Sequence, residues 1–320
     1  MQTAYTYNKT QYIWLTLVHR LAYLLFATST YFQKHRRKLS YLTKQILPPL
    51  NADIVCPTIF DFKLCLNENG GHWIYYLGFY ELGTLDVIRR CLNEGDVFID
   101  VGSSIGLMTL TASNTIGETG KVFSFEPDKK RFTNLLNSIS VNECKNIKAF
   151  NFALSSATKE IFLNSNLSTP RISQTNSNDT TIVKSQTLDT FIAEQNILNV
   201  SFMKIDVEGY ELEVLQGAKQ LLSSSDAPIL CIECNTSLNG IEGKDIFAIF
   251  DFIKDCNSSF SFYQLSKTSH VVSKLKQIYS CNELNTNDNL YCFLPKHKTQ
   301  LNSGRTFGEI DDRSSTLFNF

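Results

Sequence analysis

The sequence predicts an α/β fold: a doubly wound sheet of seven strands with helices on both faces, preceded by an N-terminal helical extension. Three observations carry this. Residues 96–106, Asp96-Val97-Phe98-Ile99-Asp100-Val101-Gly102-Ser103-Ser104-Ile105-Gly106, read as a buried strand running into a glycine turn and then a helix. The continuous apolar run is that of a parallel strand covered on both faces. Lys121-Val122-Phe123-Ser124-Phe125-Glu126 repeats the pattern one βα unit later and ends in an acid. Strand and helix patterns then alternate as far as residue 294.

The elements follow in order. Apolar positions 13, 14, 17, 18, 21, 24 and 25 have helical spacing, and a basic run closes the segment at 34–38. This predicts an amphipathic helix docked on the core or on a second subunit. An interfacial membrane helix over residues 12–38, with its basic run on lipid head groups, is the alternative. His19 and Arg20 fall mid-segment, which argues against a spanning helix, and a signal peptide is not expected, since it would need a charged region first and a small-residue cleavage site. After Pro48, Pro49 and Pro57, residues 58–66 alternate as a strand, and 67–71 form a turn. A helix over 80–92 leads to the first core strand. Asp128 is placed to cap a helix carrying Phe132, Leu135, Leu136 and Ile139. The third strand is 147–154. Extra strands at 160–163 and 181–184 bracket a Ser/Thr/Asn-rich loop, 164–180, long enough to suggest a lid. Then come a helix over 188–195, a strand over 200–207, a helix over 211–222, a strand over 228–234, a helix over 245–255, and strands over 259–265 and 289–294. The resulting units are an extension over 1–50, a small β/helical lead-in over 51–94, a cofactor-binding domain over 95–298, and a polar tail over 299–320.

The glycine turn and the acid at the tip of the second strand make a nucleoside cradle, in which Glu126 accepts from ribose hydroxyls. Gly102-x-x-x-Gly106 lacks the middle glycine of a dinucleotide fingerprint, and no phosphate-loop lysine follows. Asp100, read as lying within the turn, suits an amine-bearing, cationic ligand. S-adenosylmethionine, with an amino group and a sulfonium, fits that charge. A second acidic group, Met203-Lys204-Ile205-Asp206-Val207-Glu208-Gly209, falls at the tip of the fourth strand, with Glu233 and Asn235 at the tip of the fifth. Asp206 and Glu208 are the candidate general bases for a substrate hydroxyl. Glu208 could equally serve only the dipole of the next helix. No metal is assigned, although oxygen ligands on Asp206 and Glu233 would suit Mg²⁺. His72, His270 and His297 stand alone and read as structural or exposed.

Thirty basic and 31 acidic residues in 320 give a net charge of −1, and no global pull toward nucleic acid or an anionic membrane. Nine cysteines, an odd number, are scattered along the chain, and several of them (Cys231, Cys234 and Cys292) lie in apolar strand-like runs. That is the usage of buried thiols in a reducing, cytoplasmic setting. Cys231-Ile232-Glu233-Cys234 has no partner pair and falls in a strand, so no metal or redox role is assigned to it.

Four motifs occur together in one order: 96–106; Phe125-Glu126-Pro127-Asp128; Thr187-Leu188-Asp189-Thr190-Phe191; and Lys204-Ile205-Asp206-Val207-Glu208-Gly209-Tyr210-Glu211-Leu212-Glu213-Val214-Leu215-Gln216-Gly217-Ala218. In these the chain resembles the FkbM family of S-adenosylmethionine-dependent methyltransferases, over roughly residues 75–295. The resemblance implies a class I methyltransferase (Rossmann-like) fold and O-methylation of a sugar, glycan or natural-product acceptor. It also implies that Asp100, Gly102, Ser103, Ser104 and Gly106 line the methionine part of the cofactor. Glu126 would hold the ribose, Ala153 would pass the adenine edge, and Glu81 would stand upstream of the site. Ser103-Ser104 replaces the Ala-Asn common in that family, and serine retains a donor for the cofactor carboxylate. Two rivals are a nicotinamide oxidoreductase and a non-enzymatic scaffold. The first lacks its third glycine and a hydride-relay residue, and cofactor binding separates the second.

Overall fold

The computed structural model describes residues 8–29, 35–50, 53–60, 62–67, 71–167, 169–173, 175–234, 246–265, 275–284 and 288–297. Asn235, His270 and the tail from Lys298 lie outside them. Helices α1 (Lys9–Thr28) and α2 (Arg36–Ile46) precede a hairpin of β1 (Ile54–Pro57) and β2 (Lys63–Leu66). The alternating run 58–66 is thus half turn and half strand. Thr58 decides this: its hydroxyl donates to the Phe62 carbonyl at 2.7 Å and accepts from the Phe60 amide at 3.2 Å. Short helix α3 (His72–Leu77), which the sequence pattern did not signal, and α4 (Leu82–Cys91) lead to the sheet.

The sheet and its covering helices then follow the predicted alternation. β3 (Val97–Val101), α5 (Leu107–Ile116), β4 (Lys121–Phe125), α6 (Lys129–Val141) and β5 (Ile147–Phe150) form one half. A small sheet is made of β6 (Ala153–Leu154), β7 (Lys159–Asn164), β8 (Arg171–Ser173) and β9 (Thr180–Gln186), in the order β6-β9-β7-β8. The other half holds α7 (Leu188–Glu194), β10 (Val200–Ile205), α8 (Glu211–Gln216), α9 (Lys219–Ser223), β11 (Ile229–Ile232) and α10 (Ile246–Cys256). Strands β12 (Ser261–Leu265), β13 (Leu275–Ile278) and β14 (Leu290–Phe293) complete it.

The main sheet runs β5-β4-β3-β10-β11-β14-β12-β13. The first five strands are parallel, while β14 runs antiparallel to both β11 and β12. This is the class I methyltransferase arrangement, with eight strands rather than the expected seven. The eighth, β13, is an edge strand antiparallel to β12. Its sequence, Leu-Lys-Gln-Ile, is too short and polar to signal a strand, and pairing with β12 makes it one.

Three further boundaries differ from expectation, each for a local reason. The third expected strand divides because Asn151 Nδ2 donates to the carbonyls of Glu126 (2.8 Å) and Pro127 (3.0 Å). Ala153 and Leu154 then leave the main sheet and pair with Ser185 and Gln186. The helix expected over 211–222 breaks at Gly217, where a Cβ would lie 2.0 Å from the Ser155 carbonyl oxygen. Asp189 caps the second piece, accepting from the amides of Gln220 and Leu221 at 2.8 and 3.0 Å. The loop 164–180 contains β8, so it is partly a strand held on β7.

Side chains alternate across the strands into two cores. Phe98, Val122, Phe202 and Phe293 pack with α1, α4 and α5, whereas Ile99, Phe123, Met203 and Leu230 pack with α7, α8 and α10. α1 docks, but through a different stripe from the one its apolar spacing suggested. Leu15, Val18, Ala22 and Phe26 are buried, while Ile13, Trp14, Leu17, Leu21 and Leu24 are exposed. His19 holds that orientation: its Nε2 donates to the Tyr75 carbonyl at 2.7 Å, and burial lowers its pKa to about 4, so it is neutral.

Candidate active site

Chain order reverses between β3 and β10, and a cleft opens where their carboxyl ends part, the usual ligand position in an open α/β sheet. Every predicted site residue except Gly106 lines it: Glu81, Asp100, Gly102, Ser103, Ser104, Glu126, Ala153, Asp206 and Glu208. Gly106 is instead the N-cap of α5, at φ +98°. Gly102 admits no side chain, since a Cβ there would meet the Asp206 carbonyl oxygen at 1.9 Å and φ is +82°. The turn after β3 therefore lies directly on the end of β10.

Glu126 fastens the glycine turn. Its Oε2 accepts from the Ser104 amide at 2.8 Å and its Oε1 from the Asp128 amide at 2.9 Å. Ser104 sits at φ +50° under that restraint, and Arg131 donates to its hydroxyl at 3.3 Å. Burial raises the Glu126 pKa to about 7, against the lowering effect of those amides and of Arg131. Ser103 turns its hydroxyl to the Phe125 carbonyl, 3.2 Å away. Ala153 reaches the cleft from the small sheet, beside the Phe152 ring.

Asp100 belongs to β3 and is fully buried, not within the turn. The register places it beside Lys204 on β10 and beside Ser124 on β4. Thr109 donates to its Oδ2 at 2.6 Å and lies 2.9 Å from the Ser124 hydroxyl. Its Oδ1 has no partner among the described residues. Burial raises its pKa, with Lys204 and Thr109 opposing.

Lys204 is the residue to which the sequence reading gave no role. Its ammonium is buried and donates to Asp206 Oδ2 at 2.6 Å. Burial would lower its pKa, but the charges of Asp206, Glu81 and Asp100 outweigh burial and raise it well above the ordinary value. Asp206 is correspondingly held low: burial opposes, and the Lys204 charge and hydrogen bond prevail. The signal was present as a lone lysine in an apolar strand at the register position of Asp100, but the register is not readable from one strand.

Beyond β10 the chain turns sharply, with Glu208 at φ +58° and Gly209 at φ +99°. Glu211 Oε1 holds this turn by accepting from the amides of Val207 and Gly209 at 3.1 and 3.0 Å. Asp206, Glu208 and Glu233 converge, each offering a carboxylate oxygen within 4.8 Å of the others. Burial, then the Asp206 charge, raise the Glu208 pKa to about 7. Burial, then the charges of Asp206 and Glu208, push the Glu233 pKa up to about 10, which makes it the neutral acid of the three. The resulting site has one ion-paired carboxylate, one neutral acid and one group poised near neutrality. Arg171, on β8, also lines the cleft, and its buried Nε has no acceptor among the described residues. His72 also lines the cleft, whereas buried His297 accepts from the Leu294 amide at 3.0 Å. The nine cysteines carry free thiols, and burial pushes up those of Cys231 and Cys234.

The methyltransferase FkbM domain family model matches residues 100–260. Hexuronic acid methyltransferase AglP of Haloferax volcanii is 30% identical over 168 residues, covering 51% of this chain and 66% of that protein. Among solved structures, methyltransferase FkbM from Methylobacillus flagellatus superposes with a TM-score of 0.43 at 17% identity, over 63% of this chain and 44% of that one. Fibrillarin of Aeropyrum pernix, solved with natively bound S-adenosyl-L-methionine, gives 0.37 at 11% identity, over 66% and 73%.

Proposed function

The chain belongs to the methyltransferase FkbM domain family, and on that premise we propose that it transfers a methyl group from S-adenosylmethionine to a hydroxyl of a carboxylate-bearing sugar or glycan. The observation that carries this reading is the convergence of Asp206, Glu208 and Glu233 against the glycine turn. The residues present fit the cofactor: Asp100 leaves a buried acceptor open, Glu126 ends β4 at the cleft, and Phe152 offers an apolar ring beside Ala153. When bound, the cofactor supplies an electrophilic methyl carried on a sulfonium. The cleft's carboxyl groups favour that positive charge, and Glu208 takes the proton of the attacking hydroxyl. Asp206, held by Lys204, fixes the position of the turn that carries Glu208. Positioning of acceptor and methyl group in line supplies much of the remaining rate.

Calorimetric titration with S-adenosylhomocysteine, beside NAD, tests the cofactor. Micromolar affinity for the first alone is expected, weakened at least about tenfold in Glu126→Ala, where the turn loses its fastening and about 1.4 kcal/mol or more of ligand contact. Absence of binding to either ligand would favour the scaffold reading. The acidic acceptor is supported by Arg171 and by the acid named for the Haloferax volcanii relative. A buried guanidinium nitrogen lacking an acceptor matches a carboxylate, which takes it in a charge-assisted pair. Arg171→Gln is expected to raise the KM for an acidic sugar by roughly 10- to 100-fold, equivalent to the ~1.5–3 kcal/mol of a charged hydrogen bond. The KM for the cofactor should stay constant. Equal KM changes for neutral and acidic sugars would remove Arg171 from acceptor recognition.

A further inference from the structure

We propose that the outward faces of α1 and α2 dock this chain on an anionic lipid surface. Helix α1 is apolar on two sides. One side, with Leu15, Val18, Ala22 and Phe26, is buried in the core. The other carries Ile13, Trp14, Leu17, Leu21 and Leu24, each between 49% and 56% exposed. Positions 13, 17, 21 and 24 follow helical spacing, so this is a continuous stripe along the 20-residue helix. Helix α2 packs beside it and adds Tyr41, Leu42 and Ile46, 46–64% exposed. A helix apolar all round is covered all round, and among the described residues only one side of α1 is covered.

Charge identifies what covers the other. Residues 1–52 contain seven Lys and Arg and no Asp or Glu, in a chain with 30 basic and 31 acidic residues overall. The extension is therefore strongly cationic and the rest of the chain is net acidic. Lys9, Arg20, Arg37, Lys38 and Lys44 are exposed on the same two helices. A second copy seated face to face would bring like charges together across the contact. An anionic bilayer surface meets both features, taking the apolar stripe at the acyl boundary and the basic side chains among head groups. Trp14 and Tyr41 are the side-chain types favoured at that boundary. No helix among the described residues is long and apolar enough to cross a membrane, so the helices would lie on the surface. Helix α3 connects this surface to the cleft: α1 and α2 pack against it, while its His72 and Trp73 line the cleft.

The test is flotation of the full chain with vesicles of phosphatidylcholine alone or mixed equally with phosphatidylglycerol, at low and high salt, with light scattering of the free protein. Binding to the anionic vesicles is expected, weakened roughly tenfold or more on phosphatidylcholine and by high salt. It should be lost in Trp14→Ser/Leu17→Ser/Leu21→Ser, whose exposed positions leave the melting temperature unchanged. Failure of the native chain to bind anionic vesicles would overturn the proposal, as would unaltered binding by the triple variant. A dimer that the triple variant converts to monomer, without vesicle binding, would assign the face to a second copy. None of these outcomes depends on the cofactor reading.

Discussion

Lys204→Met is expected to lower the unfolding free energy at pH 8 by about 3–5 kcal/mol, the penalty for removing one member of a buried ion pair. Methionine keeps the length of the stem, so little cavity is created. What is lost is the charge that faces Asp206, Asp100 and Glu81 together. The pH dependence separates this mechanism from simple misfit. Lys204 is protonated in both states throughout pH 5–8, because its folded pKa lies above an already high unfolded one. Asp206, depressed in the native chain, contributes stability above its unfolded pKa that is lost as pH falls. In the variant that contribution is absent, and the uncompensated carboxyl groups take up protons in the folded state. The deficit should therefore shrink on going from pH 8 to pH 5. The native chain has its own opposite trend. Glu126, Glu208 and Glu211 titrate near 7 when folded, above the ~4.3 of an unfolded glutamate, so their contribution declines as pH rises through that window. Urea denaturation of both chains at the two pH values resolves the terms. A deficit below about 1 kcal/mol, equal at both, would show that the pair contributes no more than a surface one.

Glu208→Gln is expected to slow turnover by roughly 10²–10⁴-fold, the range for loss of a general base, with cofactor affinity changed less than about threefold. Glutamine preserves the shape of the side chain at φ +58° and removes only its proton-accepting charge. The native rate should rise with pH and level off above about 7, following the Glu208 carboxyl, and the variant should lose that limb. Asp206→Asn provides the contrast. Asp206 is ion-paired with Lys204 and held low, which makes it a weak base, so its loss should act mainly through stability and through the position of the turn. If Glu208→Gln turned over normally while Asp206→Asn remained folded and inactive, the two roles would have to be exchanged.

Much of the site was readable locally. The turn at Gly102, the acid at Glu126 and the pair Asp206 and Glu208 follow strands whose apolar runs are unmistakable, and strand ends are where an open α/β sheet binds its ligand. Glu81 carries no such local signal and comes from family resemblance alone, yet it lines the cleft and its charge acts on Lys204. Arg171 and Phe152 carry no local signal: Arg171 reaches the cleft on β8 of the small second sheet, and Phe152 reaches it from the break between β5 and β6. On α1 the spacing identified a real apolar stripe but not its direction, since the helix has two such stripes and His19 selects the inner one.

The amino-acid sequence by itself determined the order of strands and helices, the glycine turn and the acids at the strand tips. These are properties of segments a few residues long, set by burial pattern, backbone freedom and capping. Tertiary structure alone decided the surroundings, and so the ionisation, of those acids. Parallel register sets Lys204 beside Asp100 and Cys231, and the close approach at Gly102 brings Asp206 against the turn. A carboxyl group's ionisation depends on the charges and water within a few ångströms of it, and those neighbours come from strands about a hundred residues apart in the chain.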